Sequence, residues 1–581
     1  MSHKYPEDSV DMPRQIMPRG EREQAPARAD HSRRGFLRTA WGSGVVSAAA
    51  SLGLGGMLTV PRSARACSSA CLPGGNARAE QAFWIRTEAA ERYRSEPLVE
   101  HRTNGDEERY PDKRASFFKC LPQNDLGEVN PSAYAAFLKA MRSGEPGDID
   151  AIPLAAPAVR RLANPQAAFA FDLVGPDSHA TVTPPPPGFA SAETAAEIGE
   201  VYWQALTRDI PFTDFESDPD IASAVADLNR FSALDAPTDR GRVSPQTLFR
   251  GGLPGDLTGP YISQLLWLDV PYGPSLIEQR YAVPLAGVEF MTDYDEWLAI
   301  QRGAAPRSTL SFDPDRRYIY NGRALGEYVH QDVHFQAFFN AALIIEGFGA
   351  NAQDPANPYL SSPNQAGFVT FGDVHLFHMV TMAARVGLMG AWFHKWLVHR
   401  RLRAEVFAGR IENQVKKRKN YGIHSDILDS EVLDRVRRQY GNALLPQAYP
   451  EGSPTHPAYP AGHSAVAGAC ATVLKAFVDE DFVVPDPVET SRNGRRLNPW
   501  AGADLTLGHE INKLATNISI GRCTAGVHYR SDGSGLALGE AMAIGLLQDY
   551  SLTYNEYFDG FTLTRFDGRR VRIVDGAVTP V

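Results

Sequence analysis

The sequence predicts a mainly α-helical protein whose helices pack as bundles, and three observations carry that expectation. Val466, Cys470, Val473 and Phe477 recur at helical spacing. Phe335, Phe338, Phe339, Ala342 and Ile345 make an apolar stripe of the kind a core-facing helix shows. A long apolar helical pattern runs from Val374 to Phe393. The chain has 581 residues, 43% of them hydrophobic, which is enough for one large domain or two ordinary ones with a full core. No internal repeat is evident.

In chain order, residues 1–30 are polar and charged without a period, a composition expected to stay disordered. Arg33 and Arg34 then precede a weakly hydrophobic Ala/Gly-rich run that ends in Ala64-Arg65-Ala66. This pattern predicts a twin-arginine export signal over 1–66, cleaved before Cys67, rather than a membrane anchor. The mature chain is then expected in the periplasm or outside the cell. No other stretch is expected to span a bilayer. Residues 67–190 mix short helical patterns with loops, and the proline tract 184–187 reads as a linker. Helices are expected over 191–207, 218–233, 328–348, 372–404, 430–445, 462–477, 503–523 and 532–550, which makes 191–560 the main helical domain. Asp567-Gly568 between 561–566 and 569–574 predicts a C-terminal hairpin within 561–581. Five cysteines are too few for a disulfide scaffold. Cys470 and Cys523 fall in apolar helical patterns and read as buried thiols. Cys67, Cys71 and Cys120 leave one disulfide open.

Three stretches carry chemistry. In the first, Arg522 precedes His528 by six positions and Asp532 follows it by four. If 528–532 were helical, Asp532 would hold one ring nitrogen of His528 and leave the other free. Arg522 adds a permanent planar cation suited to an oxyanion. In the second, Pro460, Ala461 and Gly462 lead into the helix at 462, so backbone N–H groups and a glycine meet any anion there, beside His463 as an acid–base group. In the third, Lys395 and Arg403 stand eight apart, on roughly one side if the helix continues. Each stretch alone would pass for an ordinary helix start or a solvated face. The net charge of −10 argues against a general nucleic-acid binder and requires any anion site to be locally basic.

Together the three stretches resemble the vanadium-dependent haloperoxidases, relatives of the type 2 phosphatidic acid phosphatases. The eight-residue offset of Lys395 and Arg403 resembles the algal bromoperoxidase branch, as do segments 253–264 (LPGDLTGPYISQ), 398–403 (VHRRLR) and 526–529 (GVHY). The resemblance covers roughly 200–550. Two departures stand out: Ala461 where the family usually has serine, and Ala404 where proline usually follows the arginine.

The resemblance implies helical bundles of the haloperoxidase and acid phosphatase type. It implies vanadate bonded to His528, with Lys395, Arg403, Gly462 and Arg522 on its oxygens and His463 as acid–base group. Lys395, His463 and His528 are then the catalytic set. It implies supporting roles for Asp532 and His456, and for His394, a position that affects halide choice. The implied partners are hydrogen peroxide and a halide, bromide or iodide ahead of chloride, with room for a small organic acceptor and assembly as a homo-oligomer. Phosphate and vanadate satisfy the same cations, so a phosphatase working through a phosphohistidine on His528 stands as the alternative.

Overall fold

The helices form where the apolar periodicity places them. The computed structural model describes residues 76–156 and 158–581; the export segment, Cys67 and Cys71 lie outside them. Helices of eight or more residues are α1 (Asn76–Ser95), α2 (Pro131–Ser143), α3 (Ala192–Thr207), α4 (Pro219–Leu228), α5 (Tyr294–Gln301), α6 (Gly322–Gln331) and α7 (Gln336–Gly347). They continue with α8 (Asp373–Phe393), α9 (Ala404–Val415), α10 (Glu431–Tyr440), α11 (Gly462–Phe477), α12 (Leu507–Thr524) and α13 (Gly535–Ser551).

The core is a bundle in which α11 packs against α8, α12 and α13, while α6 lies along α12. α11 is almost wholly buried, and small residues let its neighbours come close. A Cβ at Gly468 would sit 2.0 Å from the Leu536 carbonyl oxygen, and one at Gly539 2.0 Å from that of Ala465. Alanine at either position would force the helices apart. A second core joins α3, α4, α9 and α10 through Tyr202, Trp203, Ile221, Phe407, Leu433 and their neighbours. From Ala79 to Val581 the chain forms one compact unit.

Several expectations change. The predicted helix 328–348 is two helices, because Asp332 is extended (φ −64°, ψ 145°) and ends α6. The predicted helix 372–404 stops at Phe393 and passes into a π-helical turn, His394–His399. Arg400 then takes a left-handed conformation (φ 42°) and Arg403 caps α9. Lys395 and Arg403 therefore do not share a helix face. The segment Asp373–His399 does pass the length and apolarity test for a bilayer span, against expectation, but it packs in the bundle core with α11 and α13. At the C-terminus the hairpin gains a strand: β5 (Phe561–Thr564), β6 (Arg570–Val574) and β7 (Ala577–Pro580) form one antiparallel sheet. Asp575 and Gly576, both at positive φ, make its second turn. Four shorter strands, β1 to β4 (Val270–Tyr272, Ser275–Ile277, Val488–Thr490, Leu497–Pro499), form two separate hairpins.

The proline tract is pinned to the body rather than loose. The Tyr459 hydroxyl donates to the Pro184 carbonyl, and Asn104 donates to that of Pro187 at 3.2 Å. Cys470 and Cys523 are buried thiols, as expected, and burial raises both thiol pKa values; Cys120 is buried too.

Candidate active site

Four chain segments converge at the heads and ends of the bundle helices. The π-helical turn places Lys395, and the break after it delivers Arg403. The start of α11 places Gly462 and His463. The last turn of α12 places Arg522. Gly526 (φ 87°) then reverses the chain so that His528 comes back over that helix end. Asp532 lies in the 3-10 turn Arg530–Ser534, not in a helix with His528, yet the tight turn still brings the two together.

Hydrogen bonding assigns the state of His528. Its Nδ1 lies 2.6 Å from Asp532 Oδ2, and its Nε2 lies 2.9 Å from Arg403 Nη1. An arginine only donates, so Nε2 carries the lone pair and Nδ1 donates to Asp532. Burial first, then Arg403, Lys395, Arg522 and His463, hold this imidazole well below its usual pKa. It is a neutral ring whose Nε2 lone pair accepts from Arg403, and the neutral form is the one in which histidine binds a metal or attacks phosphorus. Asp532 is fixed in turn by Arg401 Nη1 at 3.1 Å, and Arg401 bridges to Glu197 at 3.0 Å.

The cations are crowded. Lys395, Arg403 and Arg522 are 2% exposed or less. Lys395 Nζ donates to the carbonyls of Pro457 (2.6 Å) and Ala458 (2.7 Å), which leaves one of its three hydrogens. Arg403 donates to the carbonyls of His456 and Val527, and to His456 Nδ1 at 2.9 Å. Arg522 Nη1 donates to the Val329 carbonyl, and its buried Nε finds no acceptor among the described residues. Burial, reinforced by Arg403 and Arg522, pushes the Lys395 pKa down. The carboxylate that acts most strongly on Lys395 and Arg403 is Asp532, already shared with Arg401 and His528. This cluster is short of negative charge.

A tetrahedral oxyanion such as vanadate fits that shortage. The orphaned Nε of Arg522 is a donor awaiting an acceptor. The N–H groups of Gly462, His463 and Ser464 in the first turn of α11 likewise have no acceptor among the described residues. With the lone pair of His528 the donor set is complete. Ala461 caps α11 without a side-chain bond, and its N–H donates to the Asp532 carbonyl at 2.9 Å. The glycine at 462 also has a packing reason: a Cβ there would lie 3.1 Å from Leu388 and 3.3 Å from Trp392.

The structure thus brings together Lys395, Arg403, His456, Gly462, His463, Arg522, His528 and Asp532. His394 points elsewhere. Its Nε2 donates to the Thr181 carbonyl at 3.0 Å, its Nδ1 accepts from Thr183, and burial lowers its pKa to about 4. Sequence reasoning missed Asp332, whose Oδ1 lies 3.0 Å from His463 Nε2, and His334, whose ring is 4.9 Å from that of His463. It also missed Trp392, whose ring lies 4.8 Å from that of His456 and is tilted 43° to it. Asp332 was hidden because 328–348 reads as one unbroken helix. A helix-ending Asp two residues before a histidine was the available signal.

Fold and site together define a helical-bundle protein whose buried donor set suits a tetrahedral oxyanion beside a neutral histidine. A family model described as the VCPO second helical-bundle domain matches residues 435–555. The chain is 37% identical over 528 residues to a vanadium-dependent bromoperoxidase of Ascophyllum nodosum, covering 87% of this chain and 94% of that protein. It is 34% identical over 602 residues to one of Corallina officinalis, covering 86% of this chain and 100% of that protein. The solved structure of the second vanadate-dependent bromoperoxidase of Ascophyllum nodosum, a homohexamer, superposes with a TM-score of 0.84 at 30% identity, covering 92% of this chain and 97% of that one. The chain belongs to the vanadium-dependent haloperoxidase family, in its bromoperoxidase branch.

Proposed function

We propose that this protein is a vanadate-dependent haloperoxidase that uses hydrogen peroxide to oxidise halide, bromide foremost, to hypohalous acid. The observation that carries the reading is the buried trio Lys395, Arg403 and Arg522 around the His528 lone pair, none of them ion-paired to a carboxylate among the described residues. The relatives named above as bromoperoxidases support it.

Vanadate, when bound, supplies a metal centre with empty d orbitals that activates peroxide toward halide without changing oxidation state. The chain supplies the rest. His528 Nε2 would offer the bond to the metal, and Asp532 keeps that nitrogen unprotonated by taking the other hydrogen. Lys395, Arg403, Arg522 and the first N–H groups of α11 would hold the oxygens and withdraw electron density from them. His463 donates Nε2–H to Asp332, so its Nδ1 is left to take a proton from incoming peroxide and return it. Halide, peroxide and one proton give hypohalous acid and water.

The reading extends to export by the twin-arginine route and to assembly as a homo-oligomer; the homohexameric relative supports the second. Phosphate would satisfy the same donors, so the deciding experiment puts both reactions to one preparation. Bromide oxidation that requires orthovanadate is expected. Phosphomonoester hydrolysis without any bromide oxidation would replace this reading with the phosphatase one.

A further inference from the structure

Behind Arg522 lies a group that the reaction does not use. His330, in the last turn of α6, is 8% exposed and meets a carboxylate at each ring nitrogen. Nδ1 is 3.0 Å from Glu327 Oε2 and Nε2 is 2.7 Å from Glu451 Oε1. Two carboxylate partners require a hydrogen on both nitrogens, so the ring is an imidazolium. The Gln331 amide nitrogen is placed 3.2 Å from Nδ1; since a protonated Nδ1 cannot accept from it, the imidazolium assignment requires the amide to be turned over, oxygen toward the ring.

That ring stacks on Tyr449 with centroids 3.7 Å apart and planes 10° from parallel. The Arg522 guanidinium also rests on Tyr449, 5.6 Å from the ring centroid. Tyr449 is held by its hydroxyl, which donates to the Gly326 carbonyl on α6. Arg522 donates to the carbonyl of Val329, the residue before His330. Two residues beyond His330, Asp332 holds His463. Glu451 begins the stretch that reaches His456, and its carbonyl is gripped by Lys119 and Arg160, both at 3.1 Å. The end of α6, the 449–456 segment and the end of α12 therefore meet at one cation.

We propose that His330 is a positioning residue for the oxyanion site: its imidazolium, clamped by Glu327 and Glu451, seats Tyr449 and the end of α6 against Arg522 and cancels one of two carboxylate charges behind the anion. This rests on the oxyanion reading of the site. Removing the cation frees Glu451 from α6, so Tyr449 and Val329, which hold Arg522, lose a tie. It also changes the trio from one net negative charge to two, in a buried region where a like charge weakens anion binding most. The charged and ionisable groups facing the clamp are Glu327 on α6, Glu451 and Tyr449 on the loop, Arg522 on α12, and Lys119 and Arg160 at the Glu451 backbone. Burial alone would lower the His330 pKa, but the two carboxylates outweigh it and raise it to about 9. The clamp is therefore closed at neutral pH and is lost as pH rises through about 9.

The test is calorimetric titration of the vanadium-stripped mature protein with inorganic phosphate, from pH 7 to 10, in wild type and His330→Gln. The expected ratio of dissociation constants at pH 7 is roughly ten, about 1.4 kcal/mol, closing toward one at pH 10 where wild type has lost its own clamp. A purely structural role would lower the melting temperature and leave the phosphate affinity of the folded variant unchanged. A ratio below about two at pH 7, or one that stays constant with pH, would overturn the proposal. Glu451→Gln keeps the ring and its stacking while removing one carboxylate, and it decides the matter if the first variant does not fold. With the trio then neutral at pH 7, it should bind phosphate at least as tightly as wild type there and lose that affinity at a lower pH than wild type, as the less strongly held ring deprotonates; a pH profile identical to wild type overturns the proposal too. Wild-type protein that binds neither phosphate nor vanadate would instead refute the oxyanion reading.

Discussion

Replacing Ala461 with serine separates two roles that one hydroxyl can play at this site. Ala461 is 1% exposed and caps α11 at φ −68°, ψ 133°, an ordinary capping conformation that serine shares. Its N–H is fixed on the Asp532 carbonyl, so the new side chain starts from a held backbone. Without an oxyanion, the hydroxyl would accept from the unclaimed N–H of His463 or Ser464, a cap that contributes roughly 1 kcal/mol to stability. With an oxyanion bound, it would donate to an oxygen. A hydrogen bond to a charged partner contributes roughly 1.5–3 kcal/mol, which corresponds to about one to two orders of magnitude in affinity. Ala461→Ser should therefore melt slightly higher when stripped and bind orthovanadate about ten- to a hundred-fold more tightly. Vanadate titration followed by recovered activity, with melting of the stripped proteins alongside, measures both. Equal or weaker vanadate affinity would refute the reasoning, because it would place Ala461 away from the oxyanion oxygens.

Other outcomes follow from the same geometry. His528→Ala removes the lone pair and should abolish tight vanadate binding, read by metal content after gel filtration. His463→Ala should keep part of the vanadate but lose about 10²–10⁴-fold in turnover; normal turnover would remove His463 from the chemistry. Asp256 holds the 253–264 loop to α12 by accepting from Leu253 N–H and Thr516, its Oδ1 has no partner among the described residues, and burial raises its carboxyl to about 7. A carboxyl raised above its unfolded value near 3.9 makes the fold bind more protons, so stability should fall as pH rises from about 4 to 7. Asp256→Asn should remove most of that slope, worth on the order of 3 kcal/mol between denaturation curves at pH 5 and pH 8; an unchanged slope would contradict it. Lysine at Arg33 and Arg34 together should leave precursor in the cytoplasm, and unchanged export in fractionation would sink the signal reading.

Much of the site was legible because its residues sit where helices begin or end, and starts and ends leave marks. Pro460 and Gly462 announced α11, whose extent came out as expected. Arg522, His528 and Asp532 lie close enough in sequence for local geometry to join them, although the joining element is a 3-10 turn. The Lys395–Arg403 pair was legible as a pair but not as a shape. The apolar pattern runs into 394–399 without interruption, and nothing in the residues marks the π turn or the left-handed Arg400. His394 was misplaced for a related reason. Adjacency to Lys395 says nothing about which way a π-helical turn points a side chain, and Thr181 and Thr183 come from a segment more than two hundred residues away. The third C-terminal strand was readable, since Asp575-Gly576 repeats the turn signal of Asp567-Gly568. Segment 253–264 belongs to no catalytic contact. Through Asp256, Ser263 and Gln264 it buckles onto Thr516, Asn517 and Glu510 of α12, the helix that carries Arg522.

The central claim, that three buried cations and the His528 lone pair are built to hold vanadate for halide oxidation, is tested most directly by titrating metal-stripped protein with orthovanadate. Bromide oxidation by peroxide is followed at each addition, with and without phosphate. Activity should be absent at zero vanadate, rise to saturation near one vanadium per chain, and require more vanadate when phosphate competes. Full bromide oxidation in protein shown to be free of vanadium, or none at saturating vanadate, would contradict it.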